Sequence, residues 1–557
     1  NFGGAAFGQG ATTTGSYPGA QPRGICGYAW ADIMVQEAGL FRDTFTSNVE
    51  HEINDKLTLY SRASFVRNES VGRFAPPAAR YPGILASDPA NPYDVAVTGY
   101  WRWTEIGNRG MHFVDQSSDW VGELRYEPSD NVEVTVSHQV NKFYGTDIGR
   151  YYLDYAGLAS NLYYETPFGS EDGLYALSAT TVVEYDNHYE KTDIIAQISD
   201  LWELPGGSAA MVVGYEGFDN IYSAQYDKHS EGGYVGGSAG NSGAGTRSVD
   251  SYFAEVLFPV ANGLEVNAAV RSDDYSDVGG NDSFKVGVLW EGNKGTSIKA
   301  NTGTGFRAPT MDTLYGVTTF SANTATDYLA CANAGISQSG CASKQVSTLI
   351  TSNPNLGAES SDSTVFSISQ DLGELTPALE NVSVRLDWYN IAMEDLISSV
   401  STQDVLYSDF TNGNLLTGNY EYYDATGLKG DGSAAGAPVG TGTSSACPSN
   451  ATYYKRLGVS PALYTIRSCA NGRIDYVGAS YANQGEYEVE GYDIFVDYTV
   501  EFGGGDLDVT LEYSHVTDYG GAPFIGSNAH QNNAGFNGLP EDRYNLLLNY
   551  TWGNYGI

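Results

Sequence analysis

Asp273, Asp274, Asp277 and Asp282 crowd one short stretch of the chain. Hard carboxylate oxygens at that density are what Ca²⁺ takes as ligands. The run lacks EF-hand spacing, so it is a weak Ca²⁺ candidate beside the plainer reading of an ordinary acidic loop. The seven histidines, at 51, 112, 138, 188, 229, 515 and 530, are scattered, and the chain contains no HExxH, no GxSxG and no P-loop. His138 and His515 fall at similar positions on outer strands and read as strand or interface residues, not as ligands. Gly232 to Gly245 (GGYVGGSAGNSGAG) looks like a phosphate cradle only superficially. No strand-to-helix context surrounds it, so it reads as a flexible loop. These residue types describe no enzyme and call for no cofactor.

Whatever this chain binds must be held by strands. Val132 to Asn141 (VEVTVSHQVN) puts Val132, Val134, Val136 and Val140 on one face and Glu133, Thr135, Ser137 and Gln139 on the other. The same period of two recurs at 264–273, 382–390, 507–514 and 544–552. It predicts about fifteen strands, near 41–52, 57–68, 118–127, 131–142, 190–203, 209–222, 248–258, 264–275, 283–290, 296–306, 362–371, 381–397, 486–500, 507–518 and 543–553. The connections alternate between tight and long. Tight ones carry turn residues such as Asn54 and Asp55, Pro128, Pro205 with Gly206 and Gly207, Asn262 with Gly263, and Gly503 to Gly505. The gaps at 69–117, 143–189, 223–247, 307–361, 398–485 and 519–542 are long, and only 276–282 breaks the rule. Strict alternation sends every short turn to one end of the sheet and every long loop to the other, as in an outer-membrane barrel. A compact soluble domain rarely tolerates so many structureless loops.

Composition fits that expectation. No run of about 18 apolar residues offers a helical membrane span. The 42 Tyr, 8 Trp and 21 Phe supply material for aromatic girdles, with Trp388, Tyr498, Tyr513, Tyr550 and Trp552 on apolar strand faces. With 28 Lys plus Arg against 67 Asp plus Glu, the net charge is −39 and nothing clusters to neutralise phosphates, which excludes nucleic acid as a partner. Of five cysteines, Cys331 and Cys341 share one long loop and Cys447 and Cys469 another. Local disulfides on the extracellular side are the simplest connectivity, and Cys26 is left over.

Seven segments now stand in a telling order: Trp202 to Gly207 (WELPGG), Arg247 to Pro259 (RSVDSYFAEVLFP), Arg271 to Gly279 (RSDDYSDVG), Gly305 to Tyr315 (GFRAPTMDTLY), Asn353 to Ser360 (NPNLGAES), Asp387 to Ile397 (DWYNIAMEDLI) and Glu490 to Asp493 (EGYD). Their succession resembles the barrel of TonB-dependent outer-membrane receptors over roughly residues 200 to 500, while Asn91 to Arg109 fits more loosely. The resemblance implies an all-β transmembrane barrel, 22-stranded in the family, filled by an N-terminal plug. Residues 1–557 would be part of that single barrel domain, with the plug and the last strands outside the sequence, three strands before the visible ones and four after.

It also implies energised uptake across the outer membrane of a Gram-negative bacterium. The solute would be scarce: a siderophore, an oligosaccharide, cobalamin or similar. A passive porin, or an adhesin using the long loops, is the alternative. Implied partners are the TonB–ExbB–ExbD complex, outer-membrane lipid and lipopolysaccharide, and a small-molecule, sugar or peptide ligand, with a surface lipoprotein as a further candidate. Loop tyrosines Tyr151, Tyr152, Tyr163, Tyr164, Tyr420, Tyr422 and Tyr423 are the expected ligand-binding residues, and loop packing is the competing role for any one of them. On the wall, Val132, Val134, Val136, Leu264, Val266, Leu507, Val509 and Leu511 are expected to face lipid and Glu133, Glu265, Asp508 and Glu512 the lumen.

Overall fold

The structure is a computed structural model that describes residues 37–84, 95, 97–103, 106–159, 177–232, 234–236, 242–316, 318–413, 415–424, 437–460, 462–483, 485–521, 530–536, 538–553 and 555–556. Fifteen long strands, numbered in chain order, make one sheet: β1 (Gly39–Asn54), β2 (Leu57–Phe74), β3 (Arg109–Ser129), β4 (Val132–Asp154), β5 (Ser178–Ile198), β6 (Ala210–Tyr226), β7 (Gly243–Ala261), β8 (Leu264–Tyr275), β9 (Gly279–Glu291), β10 (Thr296–Arg307), β11 (Glu359–Asp371), β12 (Val382–Glu394), β13 (Tyr487–Phe502), β14 (Gly505–Gly521) and β15 (Asp542–Trp552). Each pairs antiparallel with the next along the chain, without a crossover. Among the described residues no ladder joins β1 to β15.

Every strand expected from the period of two is present, but several run further toward the long loops. β4 continues to Asp154 and β5 begins at Ser178. The extension of β4 carries Thr146, Asp147 and Arg150, so the apolar alternation fades while the backbone ladder goes on. This is expected where both faces of a strand are wet. At the opposite end the turns are minimal. Gly263, at φ 73°, takes the left-handed conformation between β7 and β8, where an added Cβ would strike the Glu291 carbonyl oxygen.

Register makes one face continuously apolar. Leu59 opposes Leu124, Leu124 opposes Val136, Val136 opposes Ile194, and Ile194 opposes Tyr215. Val266 lies between Phe258 and Val288, and the run Val384, Val496, Leu511, Leu546 crosses four further strands. None of the eight residues expected to face lipid is buried, and Val136 and Leu511 are 42% and 40% exposed. Among the described residues no second sheet buries this face, so it is not the inner face of a soluble sandwich. The other face is polar. Ser137 donates to Asp193 at 3.0 Å, Asn267 to Glu255 at 2.5 Å and Thr510 to Asp497 at 2.7 Å.

Leu511→Arg places a charge in mid-band and should cost about 2–4 kcal/mol of barrel stability. Glu512→Gln, one residue on and facing the opposite way, should leave it nearly unchanged. The heat-modifiable gel shift of the full-length protein, followed through a urea series, reads both.

Candidate functional site

The long-loop end of the wall carries two features: a folded unit made from loops, and a cleft beneath it. The two longest connections, 308–358 and 395–486, build one sheet together. Its strands run in the order 319–325, 344–351, 474–483, 464–468, 453–458, 416–423 and 440–442, and 397–399 also pairs with 474–483. Strand 344–351 of the first loop lies parallel to 474–483 of the second, so neither loop can form the sheet alone. The clustered apolar core of the described residues sits here and not in the wall: Val346, Val400, Val405, Leu406, Leu415, Leu463 and Val477 are at most 3% exposed. This corrects the expectation of unstructured loops, and its reason is core formation between segments distant in sequence.

A charged network crosses that core. Arg467, 1% exposed, donates to Asp327 at 2.8 and 2.9 Å and to Asp409 at 2.9 Å, and Arg456 donates to Asp409 at 2.8 Å. Asp327 belongs to the first loop and the other three to the second, so the network ties the loops together. Burial opposes the charge on Arg467, but its hydrogen bonds to Asp327 and the charges of Asp409 and Asp327 outweigh it and hold the guanidinium above its ordinary range. Asp409 rides on helix Thr402–Thr411, whose N-terminus is fixed by a capping box between Ser401 and Asp404. Cys331 bonds Cys341 and Cys447 bonds Cys469, each pair with Cα atoms 5.8 Å apart, and both bridges close segments of this unit.

Below it, β5 to β10 line an open cleft of about 620 Å³ on the polar face, at the long-loop end. Arg247 grips Asp277 through Nε and Nη2 at 2.9–3.0 Å and donates to the Pro309 carbonyl at 2.8 Å. Arg271 donates to Asp273 at 2.9 Å and to Glu216 at 3.1 Å, and Asp273 also accepts from Ser251 at 2.5 Å. Lys191 lies 2.8 Å from Glu216. Arg307 binds Glu359 through Nε and Nη2, and Glu359 accepts the Ile397 backbone N–H at 2.7 Å, which links the cleft to the root of the second loop. Two aromatic pairs complete the lining: Tyr189 with Phe218, centroids 5.4 Å apart, and Tyr275 edge-on to Phe306 at 5.9 Å.

The expected site residues fare unevenly. Asp273 and Asp277 are occupied by arginines, while pairing places Asp274 and Asp282 on the opposite face, so the four aspartates do not converge on one ion. Among the described residues no cluster of three candidate ligands gathers anywhere. Tyr152 of β4 and Tyr422 and Tyr423 of the second loop are buried, Tyr422 donating to the Ser444 carbonyl and Tyr423 to Glu421, so the two loop tyrosines bond within their own loop. Tyr420 packs against Tyr454 with the rings tilted by 58°, and Tyr151 is 50% exposed at φ 63°. Tyr163, Tyr164 and Cys26 lie outside the described residues. The arginine cleft escaped sequence reading, although Arg247, Arg271 and Arg307 stand in three of the segments that carried the resemblance.

The family description "TonB dependent receptor-like, beta-barrel" matches residues 44–557. The chain belongs to this family. TonB-dependent receptors are outer-membrane transporters rather than enzymes. Among solved structures the chain is similar to the RagAB peptide importer (12% identity, TM-score 0.47, covering 88% of this chain and 48% of that one). It is also similar to the siderophore receptor PirA of Acinetobacter baumannii (11%, 0.41, 94% and 67%) and the alcaligin outer-membrane receptor FauA of Bordetella pertussis (9%, 0.44, 92% and 57%). The chain spans about half the length of the RagAB chain it matches. Comparison with the curated proteins finds no match. No helix among the described residues is long and apolar enough to cross a membrane, which says nothing of a β-barrel.

Arg467→Met leaves Asp327 and Asp409 buried without their shared cation and should destabilise the two-loop unit by about 3–5 kcal/mol. Limited proteolysis of the full receptor should then cut within 308–358 and 395–486 while the barrel keeps its heat-modifiable shift.

Proposed function

We propose that the whole receptor imports a scarce solute across the outer membrane of a Gram-negative bacterium, driven through TonB and its inner-membrane partners ExbB and ExbD. The observation that carries this reading is the family match along nearly the whole fifteen-strand wall. One-sided placement of loop length supports it, because a scaffold that sends its variable length to one end is presenting that end to something. Closure of the wall requires partners for β1 and for the part of β15 that does not pair with 555–556, since unpaired backbone edges are not tolerated in hydrocarbon. The barrel does no bond chemistry; it supplies the lumen and the outer vestibule.

Uptake of a labelled solute should require TonB. Equal uptake in cells with and without it would move the reading to a passive channel, which would also conduct ions in planar bilayers. Removing 398–485 alone should expose Val346 and make the first loop protease-sensitive, because most of its core partners go with the deleted segment. Removing both loops together should leave a foldable barrel without ligand binding.

A further inference from the structure

The cleft between β5 and β10 has a chemistry that its charges alone would hide. Three guanidiniums line it, yet Asp273, Asp277, Glu216 and Glu359 answer them, and Lys191 is itself held by Glu216. Counted with the carboxylates that stand behind the lining, the four cations meet four anions, and the cleft stands in a chain of net charge −39. An anionic solute gains nothing from such a field and is repelled on approach. A cationic solute finds no free carboxylate, because Asp273, the one carboxylate in the lining, is spent on Arg271 and Ser251.

What the cleft does offer is directional. Each of Arg247, Arg271 and Arg307 uses its Nε and Nη2 edge on carboxylates and leaves Nη1 without a protein acceptor among the described residues. Asn220 lines the cleft, and its buried Oδ1 has no donor among the described residues. These are fixed donors and one acceptor, set between the Tyr189–Phe218 pair and the Tyr275–Phe306 pair. A sugar ring matches that pattern, with a C–H face that lies on an aromatic ring and an equator of hydroxyls that both accept and donate.

We propose that this cleft binds an uncharged carbohydrate, its ring seated on the aromatic pairs and its hydroxyls held by the arginine Nη1 groups and the Asn220 carbonyl oxygen. The proposal rests on the import reading for its purpose, though not for its chemistry. The occupant is solute rather than plug because the lining residues of β7 to β10 lie at the long-loop ends of their strands, open toward the outside.

The test uses the full-length receptor in outer-membrane vesicles. The probes are neutral trisaccharides (maltotriose, cellotriose, xylotriose and mannotriose) against ferric citrate and a ferric tricatecholate. Calorimetry should show saturable binding of at least one trisaccharide and of neither ferric complex. Asn220→Ala and Phe306→Ala should each weaken that binding tenfold or more while the heat-modifiable shift is kept. Asn220→Cys should react with a membrane-impermeant thiol reagent above the background of the unsubstituted receptor, and the bound trisaccharide should protect it. Three results overturn the proposal: no trisaccharide binds, a ferric complex binds and protects the cysteine, or the cysteine is unreactive without ligand, which would mean that the plug fills the cleft. Sugar binding with TonB-independent uptake would instead strike the transport reading and leave the cleft assignment standing.

Discussion

Backbone hydrogen bonding in a medium without water is the constraint on which the rest of this molecule depends. An N–H or C=O left open in hydrocarbon costs several kcal/mol, so a chain that crosses with strands must give each strand two neighbours. Fourteen consecutive ladders do that for β2 to β14. Once the ladders are fixed, the pleat assigns every side chain to lipid or lumen, and a slip of one residue would exchange Leu511 with Glu512. Apolar residues on the outside and carboxylates inside are thus one fact seen from two sides, and the small turns hold the register that both require.

Above the membrane water returns, and the ordinary rules of a soluble fold return with it. The two-loop unit has what the wall lacks: a buried apolar core, a capped helix and disulfides. Its network of Arg467, Asp327, Asp409 and Arg456 is costly to desolvate, and apolar residues of the same volume would serve stability as well or better. What the network adds is partner choice. Asp327 and Arg467 meet only when both loops are in register, so the charges specify the union of segments that a generic apolar core would leave free to slide.

The wall was legible in the sequence because its signal is local. Period-two alternation lies within ten residues, and Asn262-Gly263 or Gly503 to Gly505 marks the turn that follows. The two-loop unit was not legible, because its defining contact, the parallel pairing of 344–351 with 474–483, joins segments more than a hundred residues apart. Tyr422 and Tyr423 show the consequence: by type they suit a binding surface, and only long-range packing turns them inward. The acidic run at 273–282 failed differently, since adjacent strand residues point to opposite faces and proximity in sequence could not bring Asp273 and Asp274 together. One element was within reach, because Ser401 and Asp404 spell a capping box ahead of Val405 and Leu406.

The arginines of the cleft show how a strongly acidic chain uses its few cations. Arg247 and Asp277 are 11% and 7% exposed, and such a pair is poor at attracting anything from solution, because its field is nearly cancelled at a distance. It is good at being rigid. A guanidinium clamped along one edge by a carboxylate presents its remaining N–H groups in a fixed plane, and little side-chain entropy is left to lose when a ligand arrives. Arg307 extends this outward: Glu359, which clamps it, also accepts from Ile397 at the root of the second long loop. Cleft and loop unit therefore share one hydrogen-bonded joint, and the geometry offered to a solute inside the mouth is set in part by the folded loops above it.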